Sequence, residues 1–130
     1  MAQVVYIAGP YSGKFFHDYR AYEEIDRNIA QAREAAAKLA SAQVRYFCPH
    51  LHSAHFEVIA PDVPTSFWYD LDNHFLKFAC TGILLLPGWW ESRGSKAEKK
   101  LAEELRLPVF YDVEEAIQWA QAPVATAKAS

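Results

Sequence analysis

The residues best equipped for chemistry lie in Ser92-Arg93-Gly94-Ser95-Lys96-Ala97-Glu98, directly after the apolar run Gly82 to Leu86. Two roles for Glu98 follow from the spacing. Ser95-x-x-Glu98 is a capping box, in which the serine caps an orphan amide at a helix start and the glutamate reaches back to the N-cap N–H. Alternatively, Glu98 is a carboxylate nucleophile beside an anion site, because the amides and hydroxyls of Ser92, Gly94 and Ser95 would meet a phosphate at the positive end of a helix, with Arg93 adding charge.

A second acid would complete such a site. Asp70 and Asp72, in Trp68-Tyr69-Asp70-Leu71-Asp72, read either as solvated helix carboxylates or as the source of a proton donor beside Glu98. Glycosidic cleavage uses one carboxylate as nucleophile and one carboxylic acid, and a neighbouring acid raises one pKa and favours that division. Tyr11, in Gly9-Pro10-Tyr11-Ser12-Gly13, is either an ordinary loop aromatic or a phenol that orients the nucleophile or closes over a sugar. Asn28 reads as a solvated or capping amide. His50, His52 and His55 lack the companion motif of a zinc site and read as loop-facing polar groups that line a pocket. Trp89 and Trp90 follow a strand, where a base would stack, although aromatic residues such as Phe15, Phe16, Phe67 and Trp68 more often serve a core or a subunit contact.

These residues need elements that hold them. Gln3 to Ala8 is β-branched and aromatic and stops at Gly9-Pro10, which predicts a buried first strand followed by the loop Tyr11-Ser12-Gly13-Lys14. Tyr22 to Ala42 carries Ile25, Ile29, Ala32, Ala36 and Leu39 at helical spacing. Val44 to Cys48 predicts a second strand, Ser53 to Thr65 a mostly irregular segment, and Ser66 to Ala79 a helix. That helix would bury Phe67, Leu71, Phe75 and Phe78 and turn Asp70, Asp72 and Lys77 from its most buried line. Gly82 to Leu86, a helix from Lys96 to Leu105, Pro108 to Tyr111 and a helix from Val113 to Ala120 follow. Strands alternating with helices predict an α/β fold, a single-domain doubly wound parallel sheet (Rossmann or flavodoxin-like) of about four to five strands over residues 1–121, with 122–130 a loose tail. Such sheets bind ligands at the carboxyl ends of their strands, where Tyr11 and Ser92 to Glu98 fall.

The totals fit this. With 130 residues, 52% of them hydrophobic, the chain fills one core without metal or disulfides. Its net charge of -3 argues against a polymeric nucleic-acid partner. Cys48 and Cys80 read as buried free thiols in a reducing, cytoplasmic setting. No apolar stretch approaches the roughly 20 residues of a spanning helix, and no signal-type segment opens the chain.

Three elements together resemble the nucleoside 2-deoxyribosyltransferase-like family: Ile7-Ala8-Gly9-Pro10-Tyr11 ending a strand, the Trp68 to Asp72 segment before an apolar strand, and Gly94-Ser95-x-x-Glu98 opening a helix. The resemblance implies Glu98 as nucleophile on the anomeric carbon of a nucleoside, Asp72 as the second catalytic carboxylate, and Tyr11 as the aromatic hydroxyl that orients the nucleophile. Ser92-x-Gly94-x-x-x-Glu98 is similar to the pattern of the 5'-monophosphate N-glycosidases of the same superfamily, where the Ser and Gly positions hold the 5'-phosphate. With the residue readings above, substrate contacts are expected at Gly9, Ser12, Ser92, Arg93, Gly94, Ser95, Trp89 and His50; the resemblance implies no cofactor or metal, a small-molecule nucleoside or nucleotide substrate, and a homo-oligomer, dimer or tetramer. The chain departs from the family at Cys80, where an aspartate is usual, and in the basic character of Arg93 to Lys96. The expected activity is N-glycosidic cleavage or transfer, the alternative a non-catalytic nucleotide-binding module.

Overall fold

The computed structural model describes residues 2–12 and 20–123. The readings placed on Gly13, Lys14, Phe15, Phe16 and the tail 124–130 fall outside those residues. Strand β1 (Val4–Ala8) leads into the long helix α1 (Arg20–Ser41), then β2 (Arg45–Phe47), two single-turn helices α2 (Pro49–His52) and α3 (Phe56–Ile59), and α4 (Thr65–Phe78). Strand β3 (Gly82–Leu85) follows, then a 3-10 turn (Trp89–Glu91), α5 (Arg93–Glu104), β4 (Val109–Phe110) and α6 (Val113–Gln121).

The four strands are parallel, in the order β2-β1-β3-β4. This is the α/β doubly wound arrangement that the alternation of elements predicts. The chain leaves β1 to one side to form β2 and returns on the other side to form β3, so the switch in direction falls between β1 and β3. Their carboxyl ends diverge into separate loops there and leave a crevice.

Alternation along β1 assigns its side chains to two layers. Val5 and Ile7 face α1 and α6, packed with Ala32, Ala36, Leu39 and Ala116. The alanines of α1 let that helix approach the sheet closely. Tyr6 and Ala8 face α4 and α5, with Leu76, Ile83, Leu85 and Ala102. Gly9 lies where β1 meets the segment after β3, and a Cβ there would stand 3.1 Å from that of Leu86.

Three expectations change. The loop expected to open at His50 begins as the turn α2, while Ser53 to Thr65 is mostly irregular, with the single turn α3 in it. Neither turn would persist alone; each forms against the pocket wall. On α4 the buried residues are Asp72 and Leu76, whereas Phe67 is 50% and Phe78 73% exposed. The helix turns its Trp68-Asp72-Leu76 line inward, because the pocket, not a continuous apolar core, lies beneath its first half. Finally, α5 begins three residues earlier than the pattern suggested, at Arg93 with Ser92 as N-cap.

Candidate functional site

Tyr6 is fully buried in a central strand, and a phenol in that position needs a partner for its hydroxyl. The partner is Glu98, whose Oε2 accepts the hydrogen bond from the Tyr6 hydroxyl. Glu98 lies one turn inside α5, partly buried, at the floor of a cleft of about 1010 Å³ at the switch point. Burial pushes its pKa up to about 8; the Tyr6 hydrogen bond opposes the rise, and the Asp72 charge adds to it. Tyr6 itself is raised well above the usual phenol range, mainly by burial and then by the Glu98 charge.

Asp72 reaches the same cleft from α4 and is only 8% exposed. Its Oδ1 lies 3.0 Å from His52 Nε2. Burial raises the Asp72 pKa, and the His52 contact holds the rise back. The two acids thus occupy one desolvated space, one held by a phenol and the other by an imidazole, and they interact. Asp70, on the neighbouring face of α4, is exposed.

The helix start differs from the capping box. Ser92 Oγ accepts the Ser95 N–H at 3.1 Å, so Ser92 is the cap and Glu98 is released from that role to meet Tyr6. Ser95 is 1% exposed, and its Oγ has no hydrogen-bond partner among the described residues. Ser92, Arg93, Gly94 and Ser95, the N-cap and first turn of α5, all line the cleft. A Cβ on Gly94 would meet only Tyr69 of α4 and Ser92, at 3.6 Å or more. The glycine therefore leaves room in the cleft and relieves no backbone clash.

The loop after β1 is fixed from two sides. His50 Nε2 donates to the Pro10 carbonyl at 2.9 Å, and Asn28 Nδ2 donates to the Tyr11 carbonyl at 2.8 Å. Asn28 is thus a positioning amide at the cleft, not a solvated one. Burial lowers the His50 pKa and keeps the ring neutral. Gly9, Ser12 and His50 line the cleft as expected.

Two expected site residues do not take the parts expected of them. Tyr11 lines the cleft, but its hydroxyl donates to Glu57 Oε1 at 2.8 Å and accepts the His55 N–H at 2.8 Å. It ties the loop to α3, and the phenol that orients Glu98 is Tyr6. Trp89 is outside the cleft: it packs into the α4/α5 layer, 5.8 Å from the Tyr111 ring, with Lys99 Nζ 5.6 Å over it. The aromatic residues that do line the cleft include Trp68 and Phe56, edge to face at 5.3 Å.

Sequence reasoning missed Tyr6, His52 as the partner of Asp72, and Trp68 as a wall. The signal for Tyr6 was one hydroxyl in an otherwise apolar strand. Among the described residues no three His, Cys, Asp or Glu side chains gather as a metal site. Cys48 and Cys80 are buried free thiols, pushed by burial up to about 11 and about 12. No helix among these residues is long and apolar enough to cross a membrane.

Fold and site together define an α/β protein with a desolvated carboxylate pair at its switch point. The chain belongs to the family described as a domain of unknown function (DUF4406), whose model matches residues 3–111. That span includes every residue of the site named above. Comparison with curated proteins gives no match.

Proposed function

We propose that this protein cleaves or transfers at the N-glycosidic bond of a nucleoside or nucleoside 5'-monophosphate, as an N-glycosidase or 2-deoxyribosyltransferase. The observation that carries the reading is the pair Glu98 and Asp72, two interacting acids in one cleft, with Glu98 hydrogen-bonded to a buried phenol. Cleavage at an anomeric carbon needs one anionic carboxylate and one carboxylic acid, which is one proton between the two. Burial raises both acids, Glu98 up to about 8, so the pair keeps a proton at neutral pH. In the reacting state it sits on Asp72.

The Glu98 carboxylate attacks C1' as the C1'–N bond breaks, and the bond's electron pair passes to the base nitrogen, which takes the proton from Asp72. Water then attacks C1' of the glycosyl ester, gives its proton to Asp72 and frees Glu98. A second base in place of water gives transfer. Trp68, with Phe56 edge-on against it, offers the aromatic wall for a base that Trp89 does not. Ser95 Oγ, buried without a partner among the described residues, and the amides of Arg93 and Gly94 at the start of α5 offer donors for a 5'-phosphate, with the Arg93 side chain beside them. The role for Tyr11 that remains within this reading is to shape the sugar end of the cleft. A cytoplasmic location and a homo-oligomer belong to the same proposal.

The test is a chromatographic screen for free base over the common nucleosides and their 5'-monophosphates. Release from at least one of them, faster from the phosphorylated form, is expected. No release from any would overturn the catalytic reading and leave a nucleotide-binding module.

A further inference from the structure

The outer face of α4 plays no part in the site, yet it is patterned. Phe67, Leu71, His74 and Phe78 follow one another at spacings of four, three and four, the seam of a two-heptad coiled coil. Phe67 and Phe78, at its ends, are exposed, as is His74 between them, while Leu71 is partly buried. A soluble surface rarely leaves two phenylalanines of one helix open to water without a use for them. The inner line, Trp68 to Leu76, already holds the helix to its own subunit.

Charge says what fits this seam. With Leu71 and Phe78 as first positions of their heptads, Asp70 and Lys77 are the flanking positions on the same side, one heptad apart. Both are exposed, and neither forms an ion pair among the described residues. In an antiparallel helix pair, flanking positions of this kind meet their own equivalents. A two-fold axis crossing the middle of α4 therefore brings Asp70 opposite Lys77 of a second copy, and Lys77 opposite its Asp70. The same axis layers Phe67 on Phe78 and Leu71 on His74. A parallel pair forms no such contacts, because the opposite flank, Trp68 and Phe75, faces inward, with Phe75 stacked 4.3 Å from Phe47.

We infer that α4 is a homodimer interface, pairing antiparallel with α4 of a second copy through the Phe67-Leu71-His74-Phe78 seam, with two reciprocal Asp70–Lys77 pairs fixing its direction. The interface is isologous, so it closes at two. With 14 residues, α4 spans about 21 Å, which makes the dimer concentration-dependent. Asp72, on the inner face, then sits on a helix braced from both sides. The inference stands whether or not the glycosidic reading does.

Sedimentation velocity over a concentration series tests it on the full chain. The wild type should pass from monomer to dimer. Phe78→Asp should remain monomeric, and Asp70→Lys and Lys77→Asp should each weaken the dimer about tenfold or more, since each places like charges opposite one another. Mixing the two charge variants restores both pairs, so the mixture should dimerise about as well as the wild type. Circular dichroism melts check folding; if Phe78→Asp fails to fold, the two exposed charge variants and their mixture decide. A wild type that stays monomeric, a dimer indifferent to the charge changes, or a mixture that does not recover would each overturn the inference.

Discussion

The two layers on either side of the sheet are built from the same strands and do opposite work. The α1/α6 layer buries Val5, Ile7, Ala32, Ala36 and Leu39, and among the described residues its core has no ionisable side chain except the thiol of Cys48. The α4/α5 layer buries Tyr6, Asp72 and Ser95 beside its apolar residues and takes Glu98 with them. Adjacent positions of β1 thus serve one layer that stabilises and one that stores unfavourable protonation energy. A protein tolerates such a site when packing elsewhere offsets it.

The largest expected effect separates the layers outright. Glu98→Gln should lower base release by at least about 10³-fold, because an amide cannot form the glycosyl ester. The same variant should be more stable than the wild type. Folding raises the Glu98 pKa from about 4.5 to about 8, so the stability this group allows is full below about pH 4.5 and is lost as pH rises towards 8. The gain in Glu98→Gln should reach about 1–3 kcal/mol at pH 8 and vanish near pH 4.5, as read by denaturant titrations at both values. Leu39→Ala, in the other layer, should do the reverse: a loss of about 2–5 kcal/mol in the same titration, with the turnover of the folded fraction unchanged.

What the sequence made legible divides along the same line. The strands, α1 and α6 were readable because apolar periodicity and helix-stop signals agree there with the packing. Asp72 and the Ser92 to Glu98 loop were readable as types and spacings. Tyr6 was not, because pattern treats an aromatic residue in a buried strand as core and is blind to where its hydroxyl points. The helix start was ambiguous in principle: Ser92 and Ser95 are both good caps three residues apart, and only the claim of Tyr6 on Glu98 decides between them. The inward face of α4 was misread because Phe67, Leu71, Phe75 and Phe78 carry the stronger apolar signal, while the cleft requires Asp72 inside.

Smaller effects sharpen the contrast. Tyr6→Phe keeps the core packing and removes one charge-assisted hydrogen bond, so base release should fall about 10- to 100-fold. Because that bond lowers the Glu98 pKa, its loss should also move the alkaline limb of the rate profile upward. In the wild type the rate should fall as pH rises through about 8, where the pair loses its last proton, and fall again on the acid side, where both acids are protonated. Ser95→Ala should be the mildest change, raising KM about 2- to 10-fold for 5'-monophosphates and leaving nucleosides unaffected.

Nucleophilic catalysis of this kind requires Glu98 to form a covalent bond to the sugar. Mass spectrometry of peptides from a reaction quenched in acid during turnover addresses it directly. A pentosyl mass addition, or its 5'-phosphorylated form, is expected on the peptide that contains Glu98, and none in Glu98→Gln. Base release by the wild type with that peptide unmodified, or with the sugar on Asp72 instead, would contradict it.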